Sequence, residues 1–185
     1  MGAILLMLVS RFAFFLPLSG AIFTYFIAFY TLIFAIMLVI VGYDIRHKII
    51  PNNLVYPLIF ITFIGLFLSN FGSVHFHPAT LNAILAGPLV ALPLFILWAV
   101  SKGAWLGFGD VKLAIAIGFM LGAERGFAAL VLSFWTGALI GVFLIIILGR
   151  NATKKMYLPF APFLIFGTIL AFFLNVTVTS LLGYF

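Results

Sequence analysis

Three acidic side chains occur in 185 residues: Asp44, Asp110 and Glu124. Asp44 closes a long apolar run in Gly42-Tyr43-Asp44-Ile45-Arg46-His47-Lys48-Ile49-Ile50-Pro51-Asn52. Asp110 stands just before another, in Gly107-Phe108-Gly109-Asp110-Val111-Lys112-Leu113. A charged side chain at the centre of a membrane helix costs at least roughly 2.5–3.5 kcal/mol, so an acid bordering such runs is a functional candidate. Glu124 reads instead as half of a solvated pair with Arg125 in a short outer turn. Each aspartate also has a plain structural reading. Asp44 can pair with Arg46 or Lys48 at the interface, and Asp110 can cap the next helix by accepting from its free N–H groups. Gly107 and Gly109 add a second feature to Asp110, because two glycines let another backbone pass close to the carboxyl.

Two aspartates at one membrane face can do aspartic-protease chemistry. Carboxyl groups a few ångströms apart do not both ionise comfortably, so the pair shares one proton. The ionised partner takes a proton from a water that attacks the scissile carbonyl. The protonated one donates to the carbonyl oxygen and then to the leaving amine. Such a pair titrates as a unit, and neither member is permanently the acid or the base. Other chemistries are poorly supplied. The single Glu fits no His-Glu-x-x-His pattern, and His75 and His77 lack a third ligand nearby, so no metal is expected. Without cysteine there is no thiol nucleophile, thiolate zinc site or disulfide framework. Ser19, Ser101 and Ser133 have no elbow-like glycine context.

The elements that must position these residues follow from composition. Hydrophobic residues make up 66% of the chain and charged ones 6%, against roughly 45–50% and 25% in soluble domains. Lipid is therefore the solvent for most of this surface, and a single all-α membrane domain over residues 1–185 is expected. Apolar runs bounded by charge, Pro and Gly predict seven helices: Ala3–Leu18, Ala21–Tyr43, Leu54–Asn70, Leu81–Val100, Val111–Leu121, Gly126–Leu148 and Phe160–Leu174. The number falls to six if the first, which contains Arg11, does not span. The fifth is too short to cross alone unless it continues through Gly122. Pro88 and Pro93 each remove a backbone donor and are expected to kink the fourth.

The net charge of +6 comes without a basic stripe or a stacking platform, so it signals topology rather than nucleic-acid binding. With the loop after the second helix inside, Arg46, Lys48, Lys102, Lys112, Arg150, Lys154 and Lys155 fall on one side and Arg125 on the other. The positive-inside rule then puts the N-terminus in the cytoplasm, the C-terminus outside and both aspartates at the cytoplasmic face.

At these residues the chain resembles the type IV prepilin peptidases, intramembrane aspartic proteases of the Gly-x-Gly-Asp type. Asp44 leads to Ile50-Pro51-Asn52, matching the family's Ile-Pro-Asn or Ile-Pro-Asp. Gly107 to Leu113 match Gly-x-Gly-Asp-x-Lys-Leu. Pro159-Phe160-Ala161-Pro162-Phe163 meets a Pro-Phe-Gly-Pro-Phe segment, with Ala161 in place of glycine. The resemblance implies catalytic Asp44 and Asp110, a site shaped by Gly107, Gly109, Pro51 and Asn52, no cofactor, and a multi-pass protein of the bacterial inner membrane. Lys112 reads either as a contributor to potential or substrate binding, or as a snorkelling lysine. The implied substrates are prepilin or pseudopilin precursors, of pili or of protein secretion, cut after a glycine at the end of a short basic leader. The alternatives are a transporter using the two acids as a proton or cation path, which favours acids at mid-membrane, and a silent scaffold of a pilus or secretion assembly.

Many bacterial members also carry an N-terminal methyltransferase region, often with four cysteines. With no cysteine and no comparable loop before Asp44, the purified 185-residue chain is expected to transfer no methyl group from S-adenosylmethionine to a cleaved pilin. Robust transfer by this chain alone would refute that expectation.

Overall fold

The computed structural model describes residues 20–68, 78–148 and 159–183. Within them run α1 (Gly20–His47), α2 (Asn52–Leu68), α3 (Pro78–Ser101), α4 (Phe108–Leu148), α5 (Ala161–Phe173) and the short α6 (Val178–Leu182). No strand occurs among the described residues. Among the described residues, three helices are long and apolar enough to cross a membrane, over Thr24–His47, Leu81–Ser101 and Phe108–Leu148. The expected helix Ala3–Leu18, Arg11, His75, His77 and the basic residues Arg150, Lys154 and Lys155 lie outside the described residues.

Helix α4 joins what the sequence divides. Its 41 residues extend about 60 Å at 1.5 Å per residue, twice a hydrocarbon core of about 30 Å. The excess length is resolved at Gly122, whose φ of 78° and ψ of 175° are not helical. That backbone region is essentially restricted to glycine. One residue therefore replaces the turn expected between Leu121 and Gly126, and separates limb 108–121 from limb 123–148. Glu124 consequently lies in the second limb, exposed, rather than in a turn. Other boundaries move by a few residues: α1 continues past Tyr43 to His47, so Asp44 sits in its last turn. Helix α3 runs on through Pro88 and Pro93, and α2 through Pro57. The short α6 had no counterpart among the expected elements.

Helix α4 is the centre of the packing, touching α3, α5 and α2. Helices in lipid gain little from hydrophobic contact with each other, so they associate through small residues and hydrogen bonds. The pattern is visible at Gly118, where an added Cβ would run into the Ala86 carbonyl and Gly87 of α3. At Gly126 the obstacle is Val90, 2.6 Å away, and at Gly167 it is Ser133 and the Ala129 carbonyl. Buried hydroxyls are satisfied within their own helices: Thr62 donates to the Leu58 carbonyl at 2.9 Å and Thr168 to that of Leu164 at 2.7 Å. Ser133 donates to the Ala129 carbonyl at 2.5 Å and reaches across to Leu164 of α5 at 3.5 Å. The interior holds Ile33, Met37, Leu58, Val90, Leu94, Leu113, Ile117 and Leu164, all fully buried. Large apolar side chains also cover the exterior, among them Leu38, Phe60, Leu139, Phe143 and Ile146. A helix apolar on every side suits a bilayer.

Because Gly118 meets backbone rather than a movable side-chain tip, Gly118→Val should overpack the α3–α4 crossing and cost about 1–3 kcal/mol. Gly141→Ala, where nothing lies within 4 Å of the new atom, should be neutral. Thermal unfolding of both variants in the same detergent checks the contrast, and equal melting temperatures would contradict the packing described.

Candidate active site

Asp44 occupies the last turn of α1 with only 5% of its surface exposed. The α1 helix ends at His47, three residues later: the next amide, of Lys48, bonds the Asp44 carbonyl at 2.7 Å, and Lys48 takes a φ of 57°. That left-handed residue turns the chain away, while the Asp44 side chain stays inside. Its carboxyl accepts from the backbone N–H of Ala161. Ala161 is the first residue of α5, so this amide is one of the donors a helix start leaves without an internal partner. The positive end of the helix thus faces an acid, a favourable arrangement.

Asp110 is the third residue of α4 and 6% exposed. Its amide bonds the Gly107 carbonyl at 3.1 Å, and its carboxyl accepts from the amides of Gly107 and of Asp110 itself. An acid reaching back from the first turn to the amide before the helix is half of a capping box. The capping reading is therefore correct for part of this side chain. It does not account for the rest: Oδ2 lies on the Gly107 side, whereas Oδ1 is buried and meets no donor among the described residues. The charge of Asp44 acts on Asp110 across the site, so the two carboxyls repel one another when both are ionised.

The three sequence segments that accompany the aspartates meet around them. Ile50, buried between α1 and α2, lies against Gly109, where an added Cβ would come within 2.7 Å of the Ile50 Cβ. Close approach of these two segments requires glycine at 109. At Gly107 a Cβ would sit 3.4 Å from Asp110 Oδ2. Pro51 immediately precedes α2, its carbonyl accepting from the Leu54 and Val55 amides. Lys112 reaches toward the start of α2. Its Nζ donates to Asn52 Oδ1 at 2.8 Å and lies over the rings of Tyr56, at 4.7 Å, and Phe108, at 5.2 Å. Phe108 in turn packs on Trp98 of α3, with ring centres 4.8 Å apart. Lys112 and Asn52 thereby tie the start of α4 to the start of α2.

Sequence reasoning did not anticipate the parts played by Ala161 and Ile50. Ala161 stood out only as a departure from glycine. Its contribution is an amide, which any residue but proline supplies, and it is fully buried without a left-handed φ. Alanine therefore fits where the related motif carries glycine.

A polytopic helix bundle with two buried, mutually repelling aspartates at the ends of transmembrane helices defines a class: a membrane protein built around an acid pair. The model of the type IV leader peptidase family matches residues 31–142, which include Asp44, Ile50 to Asn52 and Gly107 to Leu113, and the chain belongs to that family. It is similar to the prepilin leader peptidase/N-methyltransferase of Bacillus subtilis (strain 168), 34% identical over 155 residues, 82% of this chain and 58% of that protein. The proteins of the same description from Legionella pneumophila and Xanthomonas campestris pv. campestris are 32% and 28% identical, over 75% and 71% of this chain and 47% and 45% of their own lengths. The chain thus spans about half the length of the curated relatives it matches. No solved structure matches it.

If Lys112 and Asn52 hold the two helix starts together, their removal should be non-additive. A double-mutant cycle with Lys112→Met and Asn52→Leu, read by thermal unfolding, should give a coupling of about 0.5–1.5 kcal/mol. Strictly additive losses would mean that the bond does not tie the segments.

Proposed function

We propose that this chain is a membrane-embedded aspartic endopeptidase that removes the basic leader from type IV prepilin-like precursors at the cytoplasmic border of the membrane. The observation that carries the reading is the acid pair, in particular Asp110 Oδ1, a buried acceptor with no donor among the described residues. A buried group left unpaired costs about 1–3 kcal/mol, a cost that capping does not offset at this oxygen, which no described donor reaches. A hydrolase gains from that atom, since it is free to bind the attacking water or the scissile carbonyl. Membership of the leader peptidase family and the prepilin leader peptidase descriptions of its relatives support the substrate class. The count of basic residues, seven on the side of the aspartates against Arg125 on the other, supports a cytoplasmic site.

In the reaction one carboxylate takes a proton from a water, and the water oxygen bonds to the scissile carbonyl carbon. The protonated partner donates to the carbonyl oxygen. The tetrahedral intermediate then collapses, the C–N bond breaks, and the leaving amine receives a proton from the pair. The Ala161 and Gly107 amides favour ionised carboxyls, while burial and mutual repulsion oppose holding two charges at once. Those opposing influences suit a pair that must hold one proton. Gly107 leaves room beside Asp110 for the substrate backbone, whereas the space at Gly109 is taken by Ile50.

Co-expression with a prepilin-like precursor tests the assignment. The wild-type chain should convert the precursor to a shorter form. Asp44→Asn and Asp110→Asn, each nearly isosteric, should lower the rate at least about 100-fold, the scale of general acid–base catalysis. Retained cleavage in either variant would remove that aspartate from the mechanism.

A further inference from the structure

The two acids stand on helices joined mainly through others. Helix α1, which carries Asp44, packs chiefly on α5 and α2, and α2 packs in turn on α4, which carries Asp110. On the α5 side the connection is the Ala161 amide held by the Asp44 carboxyl. On the α2 side it is a short, braced stretch of chain. The Lys48 amide bonds the Asp44 carbonyl at 2.7 Å, Ile50 is buried, and the Pro51 carbonyl accepts from the Leu54 and Val55 amides. The proline ring also fixes φ at that point. Asn52 follows at once, and its Oδ1 accepts from Lys112 Nζ at 2.8 Å. Lys112 lies two residues beyond Asp110 on the same helix. Its ammonium sits over the Tyr56 ring of α2 at 4.7 Å and the Phe108 ring of α4 at 5.2 Å. A lysine is ordinarily a point charge on a flexible stem. One bond and two ring faces give this one a definite place.

We propose that Lys112 and Asn52 are positioning residues for catalysis: the bond between them sets where Asp110 stands relative to Asp44. The proposal rests on the peptidase reading and names residues that act through Asp110 rather than on the substrate. Ile50 against Gly109 fixes how closely the two segments approach, but an apolar contact has no direction and permits sliding. A hydrogen bond has a preferred length and line. The bond from Lys112 to Asn52 therefore fixes the height of α4 beside α2 and its rotation about its own axis. One residue of a helix corresponds to about 100° of rotation and 1.5 Å of rise, so a slip at Lys112 carries the Asp110 carboxyl with it. Two carboxyls that act on one water tolerate little of this, since a misplacement of about 1 Å can cost about 100-fold in rate.

The test measures kcat and KM on one prepilin-like precursor with the full chain reconstituted in liposomes, rates being taken per folded molecule. Lys112→Met and Asn52→Leu should each lower kcat about 10- to 100-fold, with KM held within about twofold. The double variant should lose no more than the worse single one, because both remove the same bond. Asn52→Asp keeps an acceptor for Lys112 and should retain most of the wild-type kcat. Asn52 is exposed, so its variants put folding little at risk and decide the matter even if Lys112→Met does not fold. An unchanged kcat in Asn52→Leu overturns the proposal; a loss confined to Lys112→Met would belong to the lysine's charge. A rise in KM with kcat kept also overturns it, as the mark of a substrate contact. So do losses that multiply in the double variant, or a loss in Asn52→Asp equal to that in Asn52→Leu. If cleavage persists in Asp44→Asn or Asp110→Asn, the peptidase reading itself fails, whatever these variants do.

Discussion

Two acidic side chains kept from water and close enough to act on each other's charge are the constraint around which this chain is organised. Asp44 and Asp110 are nearly inaccessible, in a protein with one other acid. Burying a charge is costly unless hydrogen bonds favour it, and here the donors come from backbone. Ala161 at the start of α5 serves Asp44, and Gly107 ahead of α4 serves Asp110. Both are helix beginnings, the places where amides have no internal partner and where the helix dipole favours an anion. The fold therefore meets the acids with groups it would otherwise have to satisfy elsewhere.

Bringing two helix beginnings and one helix end to the same spot sets strict demands on packing. The approach of the Ile50 segment to α4 depends on the missing side chain of Gly109. The α3–α4 and α4–α5 crossings depend on Gly118 and Gly167 in the same way. Close backbone contact of this sort is the main source of cohesion available to helices in lipid. It also limits how far the aspartates can drift, because backbone against backbone has no rotamers through which to relax.

Much of this was legible from the residues. Long apolar runs ended by charge, Pro or Gly identify the helices, because a spanning segment excludes polar residues over its whole length. The ends were less well defined, as at Asp44, where α1 carries charged residues for one more turn. The fifth segment is too short to span unless it continues through Gly122, but a sequence does not display φ, so a one-residue corner and a turn look alike. The pairing of Lys112 with Asn52 was also out of reach. Both were singled out, yet they are 60 positions apart, and their contact depends on how α2 and α4 align. The Ala161 amide left no trace in side-chain pattern, since almost every residue has one.

The corner at Gly122 has a consequence for how this chain can vary in length. The first limb of α4 carries Asp110 and the second carries Ser133, which reaches Leu164 of α5, so the acid and that crossing are linked through one corner. Each residue added to a helix rotates all later residues by about 100°. A single insertion between Asp110 and Gly122 would swing the second limb off α5, whereas an insertion of about one full turn nearly restores the facing. Length changes within either limb are thus confined to steps close to whole turns, while the segments joining the helices are under no such rule.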